Sequence, residues 1–324
     1  MDSKTIIMSA VTLKNITKTY DNGKVQAVNN VSFEVAEGEL FGLIGPDGAG
    51  KSTIFRILTT LLLADKGEAV VDGDDVVKSY QNIRKKVGYM PGKFSLYQDL
   101  TVEENLNFFA TLFGTTINEN YDLIKDIYEQ IKPFKERRAG KLSGGMKQKL
   151  ALCCALIHKP VVLFLDEPTT GVDVVSRKEF WDMLKRLKQQ GITILVSTPY
   201  MDEAMLCERI ALIQSGNILS IDTPGNIINS YPTDLYAAKA DNIHQLLNDA
   251  RQYNEIKTAY AFGEYLHVSF KIQEVDEFEK YLTSKGHTSI EIKKIAPTIE
   301  DCFIERMTET SQGVNIEQGA GNKE

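Results

Sequence analysis

ELFGLIGPDGAGKST, residues 39–53, decides the fold. Its first half, ELFGLIG, is apolar throughout, as expected of a strand buried on both faces, and it breaks into a Gly-rich turn before a helical pattern that begins at Lys51. The second half, GPDGAGKST (45–53), fits G-x-x-x-x-G-K-[ST] in the strand–turn–helix context that the pattern requires. Across Gly45, Pro46, Asp47, Gly48, Ala49, Gly50, Lys51, Ser52 and Thr53 the glycines let backbone N–H groups converge on phosphate oxygens. The following helix N-terminus adds a partial positive charge of about +0.5. Lys51 would reach the β and γ phosphates of a nucleotide, and the Ser52 hydroxyl would ligate magnesium. A Gly-rich turn with purely structural duties does not account for Lys-Ser at this spacing after a buried strand.

A second apolar run, VVLFLDEP (161–168), ends in two carboxylates, and strand ends at the top of a parallel sheet are where such folds bind ligand. Asp166 is the candidate magnesium partner, and Glu167 the group that accepts a proton from, or orients, an attacking water. Between the two runs lies LSGGMKQKL (142–150), where Ser143, Gly144 and Gly145 open a helix and could offer a hydroxyl and backbone N–H groups to a phosphate, or serve as a plain cap. LSGGMKQ resembles the signature of ABC ATPases, and its order after GPDGAGKST and before LFLDEP, with these spacings, is that of their transporter branch.

The resemblance covers about residues 11–221 and implies an ATPase that uses ATP and Mg2+. It also implies that the signature of one subunit closes over the phosphates held by a second ABC ATPase subunit, identical or different. It gives Tyr20 the role of stacking on adenine and places Asp173, in GVD, in a loop at the dimer interface. Two positions depart from the family. Gly92, in YMPGKFSLYQDL, stands where a glutamine senses magnesium and nucleotide, and Pro199, in VSTPYMDEA, stands where a histidine contacts the γ phosphate. Proline offers neither a side-chain donor nor a backbone N–H, so the chain's own site is expected to be weakened.

Chain length and composition, 324 residues with 43% hydrophobic, suit a large core plus a smaller one. Alternating apolar runs and helical patterns give an α/β domain at 8–222, a P-loop ABC ATPase domain with a helical subdomain at about 93–158. Within it, Thr101 with Glu104 and Ser176 with Glu179 read as capping boxes, the first opening a helix that buries Val102, Leu106, Phe109 and Phe113. TPGNIINSYP, within 223–232, reads as a linker. At 233–308 the order β-α-β-β-α-β, with a hairpin near Gly263 and a last helix capped by Thr298, predicts a small α+β ferredoxin-like domain. Residues 309–324 are expected to form a disordered tail.

A net charge of −7 disfavours nonspecific nucleic-acid binding, so no nucleic-acid partner is expected. The longest apolar stretches, such as LTTLLLA (58–64), fall far short of the roughly 20 residues that span a bilayer. The start, MDSKTIIMSAVTLK, lacks the pattern of a signal peptide. Cys153, Cys154, Cys207 and Cys302 show no metal spacing and are expected as reduced core thiols. The segment 232–307 resembles the C-terminal part of exporter ATPases whose membrane permeases are separate chains. With the unsignalled N-terminus and the short apolar runs, this gives the expectation of a cytoplasmic protein, peripheral on the inner face of the cell membrane through a permease. The alternatives are a soluble nucleotide-dependent ABC clamp with little hydrolysis, which Gly92 and Pro199 favour and Glu167 opposes, and a ribosome- or nucleic-acid-remodelling ABC protein. The latter usually carries two ATPase units joined by a long basic linker, whereas this chain has one unit and is acidic.

Overall fold

The chain opens with two long antiparallel strands, β1 (Ser9–Tyr20) and β2 (Val25–Ala36), and runs into β3 (Leu40–Ile44), buried at every position. Burial on both faces is why β3 shows no polar alternation. The Gly-rich turn leads into α1 (Lys51–Leu58), whose Ile54, Phe55, Ile57 and Leu58 pack into the core. Then come β4 (Lys66–Val71), the short β5 (Asp74–Asp75), α2 (Tyr80–Lys86) and β6 (Val87–Met90). Three helices form the next block: α3 (Val102–Leu112), α4 (Tyr121–Ile131) and α5 (Gly144–Leu156). The first unit closes with β7 (Val162–Asp166), α6 (Val174–Gln189), β8 (Thr193–Thr198), β9 (Arg209–Gln214) and β10 (Asn217–Asp222). This computed structural model describes residues 9–272 and 274–308, so the tail expected at 309–324 lies outside the described residues.

Its main sheet has the order β10-β9-β3-β8-β7-β6, parallel except for the hairpin of β9 and β10. The strands β3, β8, β7 and β6 are therefore consecutive neighbours pointing the same way. Gly45, Pro199, Glu167 and Gly92 each lie one or two residues beyond one of their carboxyl ends. A second, antiparallel sheet, β2-β1-β4-β5, carries Tyr20 at the end of β1.

Local chemistry explains the helix starts. At α3 the Thr101 hydroxyl accepts from Glu104 N while the Glu104 carboxylate accepts from Thr101 N, a reciprocal cap. Phe109 and Phe113, expected on the buried stripe with Val102 and Leu106, are only half buried; they line a cavity of about 880 Å3 together with Tyr89, Arg84 and His158. Nor is Ser176 the cap of α6. Asp173 takes that place, its carboxylate accepting from Val175 N at 3.1 Å and Ser176 N at 3.0 Å, because a carboxylate one turn earlier satisfies two orphan N–H groups at once.

Contacts divide the chain after Pro224. The stretch read as a linker is partly helical: α7 (Pro224–Asn229) has proline at its first position, where the missing N–H costs nothing, and buries Ile227 at 2% exposure. The second unit continues through β11 (Leu235–Lys239), α8 (Ile243–Gln252), β12 (Ile256–Phe262), β13 (Tyr265–Phe270), α9 (Val275–Ser284), β14 (Glu291–Ile295) and α10 (299–308). The sheet order β12-β13-β11-β14, antiparallel throughout, is ferredoxin-like. Period-2 alternation sends Leu266, Val268 and Phe270 into a core with Leu246, Phe278 and Leu282. On the other face Ser269 shares a 2.6 Å hydrogen bond with Thr258, and His267 meets Asp301 at 2.7 Å. Thr298 caps α10, its hydroxyl accepting from Asp301 N at 3.3 Å.

Candidate functional site

At the turn after β3, close packing forces the glycines. A Cβ on Gly45 would lie 2.1 Å from the carbonyl oxygen of Ile213, and one on Gly50, whose φ is +105°, would lie 2.3 Å from that of Ala27. Gly45 N donates to Thr198 O at 3.2 Å, which ties the turn to the end of β8. Lys51, 2% exposed, folds back into the turn. Its ammonium donates to Gly45 O at 2.8 Å and Pro46 O at 2.9 Å and pairs with the Glu167 carboxylate at 3.0 Å. Three protons meet three acceptors, so a buried cation is fully compensated.

Ser52, one residue on, donates to Asp166 Oδ1 at 3.0 Å. The same oxygen accepts from Ser197 Oγ at 2.7 Å, and Ser197 in turn receives Glu167 N on both its carbonyl oxygen and its hydroxyl, each at 3.0 Å. Glu167 sits at φ +49°, a left-handed conformation that non-glycine residues seldom adopt. Held there by Ser197, it brings its carboxylate to Lys51. On β6, burial first and the Asp166 charge second push the Tyr89 hydroxyl up to about 12, which keeps it neutral beside the acid pair. The Tyr20 hydroxyl lies 3.4 Å from Thr53 Oγ1, so the end of β1 reaches the first turn of α1.

The two departures fall on the same rim. A Cβ on Gly92 would stand 3.1 Å from Asp166 O and 3.8 Å from Glu167 Cβ, so residue 92 directly faces the acid pair. Pro199 follows β8 in a turn closed by Tyr200 N donating to the Thr198 hydroxyl at 3.1 Å. Ser143 caps α5, its hydroxyl accepting from Met146 N at 3.4 Å. Gly144 and Gly145 lie beside the loop after β7: their Cβ positions approach Gly171 O at 3.7 Å and Ser176 Oγ at 3.0 Å. Asp173, in that loop, has its carboxyl held below the usual range by the N–H groups it caps, chiefly that of Ser176.

The structure thus brings Lys51, Ser52, Asp166 and Glu167 into direct contact with one another, sets Gly92 and Pro199 around them, and joins Tyr20 through Thr53. It places Ser143, Gly144, Gly145 and Asp173 together at a second locus, without a recorded bond to the first among the described residues. Sequence reading missed Ser197, Thr198 and Glu203. Ser197 and Thr198 stand in ITILVST (192–198) as two polar residues ending a mostly apolar run, which does not say what they bond, and nothing in the sequence singles out Glu203. Chemically, an ammonium, a hydroxyl and two carboxylates over a glycine cradle and a helix start make a site for a polyphosphate and a hard cation. Ser52 and Asp166, all-oxygen donors already in contact, fit magnesium.

Fold and site together define a P-loop nucleoside-triphosphatase cassette. Comparison with known proteins agrees. Residues 28–170 match the family model described as "ABC transporter". The probable multidrug ABC transporter ATP-binding protein YbhF of Escherichia coli (strain K12) is 41% identical over 221 residues, 68% of this chain; the chain thereby spans only 38% of YbhF's length. The Nod factor export ATP-binding protein I of Rhizobium sp. (strain N33) is 33% identical over 299 residues, 91% of this chain and 96% of that one. Among solved structures, the dimeric post-hydrolysis ATP-binding cassette MJ0796, bound to ADP and Pi, superposes with a TM-score of 0.60 at 28% identity, covering 66% of this chain and 98% of that one. The chain belongs to the family of ABC transporter ATP-binding proteins.

Proposed function

We propose that this chain is the ATP-hydrolysing subunit of an exporter, acting at the cytoplasmic face of the cell membrane through a permease on a separate chain. The nucleotide work falls to residues 8–222. The observation that carries the reading is the contact set at the tops of adjacent strands, Lys51 with Glu167 and Ser52 with Asp166. A relative named for export, the Nod factor export ATP-binding protein I, matches nine tenths of the chain and supports the direction of transport. No described helix is long and apolar enough to cross a membrane, in keeping with a partner that does. That full-length match to an export protein favours the transporter reading over the clamp and nucleic-acid readings.

In this reading Lys51 neutralises charge on the β and γ phosphates, the backbone from Gly45 to Thr53 cradles them, and Tyr20 stacks on adenine. Ser52 and Asp166 hold magnesium, which, when bound, neutralises charge developing on the transferring phosphoryl group. Glu167 orients the attacking water. Because Lys51 already has three acceptors, a phosphate oxygen must displace one, and the Glu167 carboxylate is the one free to turn toward water; the other two are backbone carbonyls of the loop itself. Ser143, Gly144 and Gly145 act in trans on the phosphates held by a second ABC ATPase subunit, with Asp173 in the dimer-facing loop. Gly92 and Pro199 make the chain's own site slow, so it works best beside a partner with a complete loop set. Pull-down from solubilised membranes tests this directly: a permease, with or without a second ATPase chain, should be recovered. Retention on membranes from cells lacking every candidate permease would sink the proposal.

A further inference from the structure

Glu203 is a carboxylate with 1% exposure, in the short 3-10 turn Met201–Leu206 that follows the Pro199 bend. A charge so deep is costly unless paired and hydrogen-bonded, and Glu203 is both. Its two oxygens accept from Thr169 Oγ1 at 2.8 Å and from Thr198 Oγ1 at 2.5 Å. Arg177 Nε lies 3.5 Å away, within ion-pair range though outside hydrogen-bond geometry, and the same guanidinium reaches Asp202 at 3.3 Å and lies 4.2 Å over the Tyr200 ring.

What these partners belong to matters more than their number. Thr169 stands two residues after Glu167, and its carbonyl accepts from Val172 N in the segment that leads to Asp173. Thr198 stands one residue before Pro199, and its carbonyl holds Gly45 N of the phosphate loop. Arg177 belongs to the first turns of α6, and its N–H donates to Asp173 O. A single buried carboxylate therefore ties the segment 167–173 to the strand that supports the phosphate loop. We propose that Glu203 is a positioning residue for hydrolysis, setting Glu167 and Asp173 jointly against the phosphate loop through Thr169 and Thr198. This rests on the ATPase reading of the site above. It also supplies, from the protein's own framework, part of the order at the β8 exit that Pro199 withholds.

Thr169 offers the cleanest test, because valine keeps its shape and removes one hydroxyl, leaving Glu203 with Thr198 and Arg177. In the full-length chain, Thr169→Val should lower kcat about tenfold, since small displacements of reacting groups carry large rate costs. KM for ATP and ATP affinity by calorimetry should stay within about twofold, because the phosphate loop is not moved. Thr169→Ser restores the hydroxyl and should restore kcat. Hydrogen exchange supplies a readout independent of turnover: amides of 168–176 should exchange faster in Thr169→Val, while those of 45–53 keep parental protection. Glu203→Gln, which retains one acceptor and a donor that the other hydroxyl can accept, should fall between parent and Thr169→Val. Unchanged exchange at 168–176 in Thr169→Val overturns the proposal, as does a loss of ATP affinity in step with kcat. Failure of the parent chain itself to bind ATP would instead remove the ATPase reading, so the two failures are told apart by the parent's own calorimetry.

Discussion

The four strand exits over the parallel sheet come in two kinds. After β3 and β7 every side chain that can act is polar and engaged: Lys51 with two carbonyls and Glu167, Ser52 with Asp166, Asp166 with Ser197. After β6 and β8 stand Gly92 and Pro199, a residue with no side chain and a residue with no donor. On the proposed function the first pair would hold a polyphosphate and a cation, whereas the second brings no side-chain donor to the γ phosphate or the attacking water. On that reading binding and chemistry are separable, and the following experiments probe the separation from its strongest side to its weakest.

Lys51→Ala should have the largest effect. It removes the cation paired with Glu167 and leaves that carboxylate without its ion pair, next in sequence to Asp166. Magnesium-ATP affinity by calorimetry should fall by about 100-fold or more, in line with loss of a charge-assisted contact in a partly desolvated site. Equal affinity in variant and parent would refute the role of Lys51.

Next comes the asymmetry between the half-sites of an assembled pair. If the signature serves a partner's complete site as proposed, Ser143→Arg should abolish turnover, whereas Glu167→Gln should leave most of it. Near-total loss in Glu167→Gln would mean that this chain's own site is the working one. The same comparison can be run in reverse by supplying the missing groups. Pro199→His combined with Gly92→Gln should raise turnover of the chain alone, on the scale of the 10²- to 10³-fold that one positioned donor typically contributes, reduced by imperfect placement to about tenfold or more. Gly92 sets the limit: the new Cβ would press to 3.1 Å on Asp166 O, so the strand end must yield by a few tenths of an ångström. No gain in the double variant would show that Gly92 and Pro199 are not what slows the site.

The same division governs what the sequence disclosed. The phosphate loop was legible because its residues are contiguous and each type has one physical duty: glycine where a Cβ would strike Ile213 or Ala27, lysine and serine at the helix start. VVLFLDEP was legible as a buried run with a charged end. Ser197 and Glu203 were not, since their work depends on β8 lying between β3 and β7, an order set by the sheet and not by spacing along the chain. Helix starts show the same limit on a smaller scale. Thr101 reads as a cap and is one, while at α6 the cap was read at Ser176 and the backbone path of the loop puts it three residues earlier, at Asp173. The reading of 223–232 did not foresee the helix there, because proline, taken as a breaker, also starts helices, and the burial of Ile227 is a tertiary fact.

The smallest expected effect concerns the adenine side of the site and separates it from the phosphate side. Asp65 accepts from Lys18 Nζ at 2.6 Å, Thr19 N at 2.7 Å and Thr19 Oγ1 at 2.8 Å, which fixes the end of β1 just before Tyr20. These bonds, that from Lys18 foremost, lower its carboxyl to about 2 from the ordinary 3.8. A depressed folded value means that the stability the carboxylate contributes is complete above 3.8 and is lost as pH falls through about 2. Asp65→Asn, which keeps the shape and removes the charge, should therefore lower the melting temperature by a constant small amount between pH 5 and 8, and the gap to the parent should close between 3.8 and about 2. Nucleotide binding gives the sharper reading. If Tyr20 serves adenine, the variant should lose only about twofold to threefold in affinity, as expected of an exposed ion pair, and by the same factor for ADP as for ATP, because the γ phosphate lies on the other side of the division. A loss confined to ATP would place the end of β1 among the groups that sense the γ phosphate, and the two sides of the site would no longer be distinct.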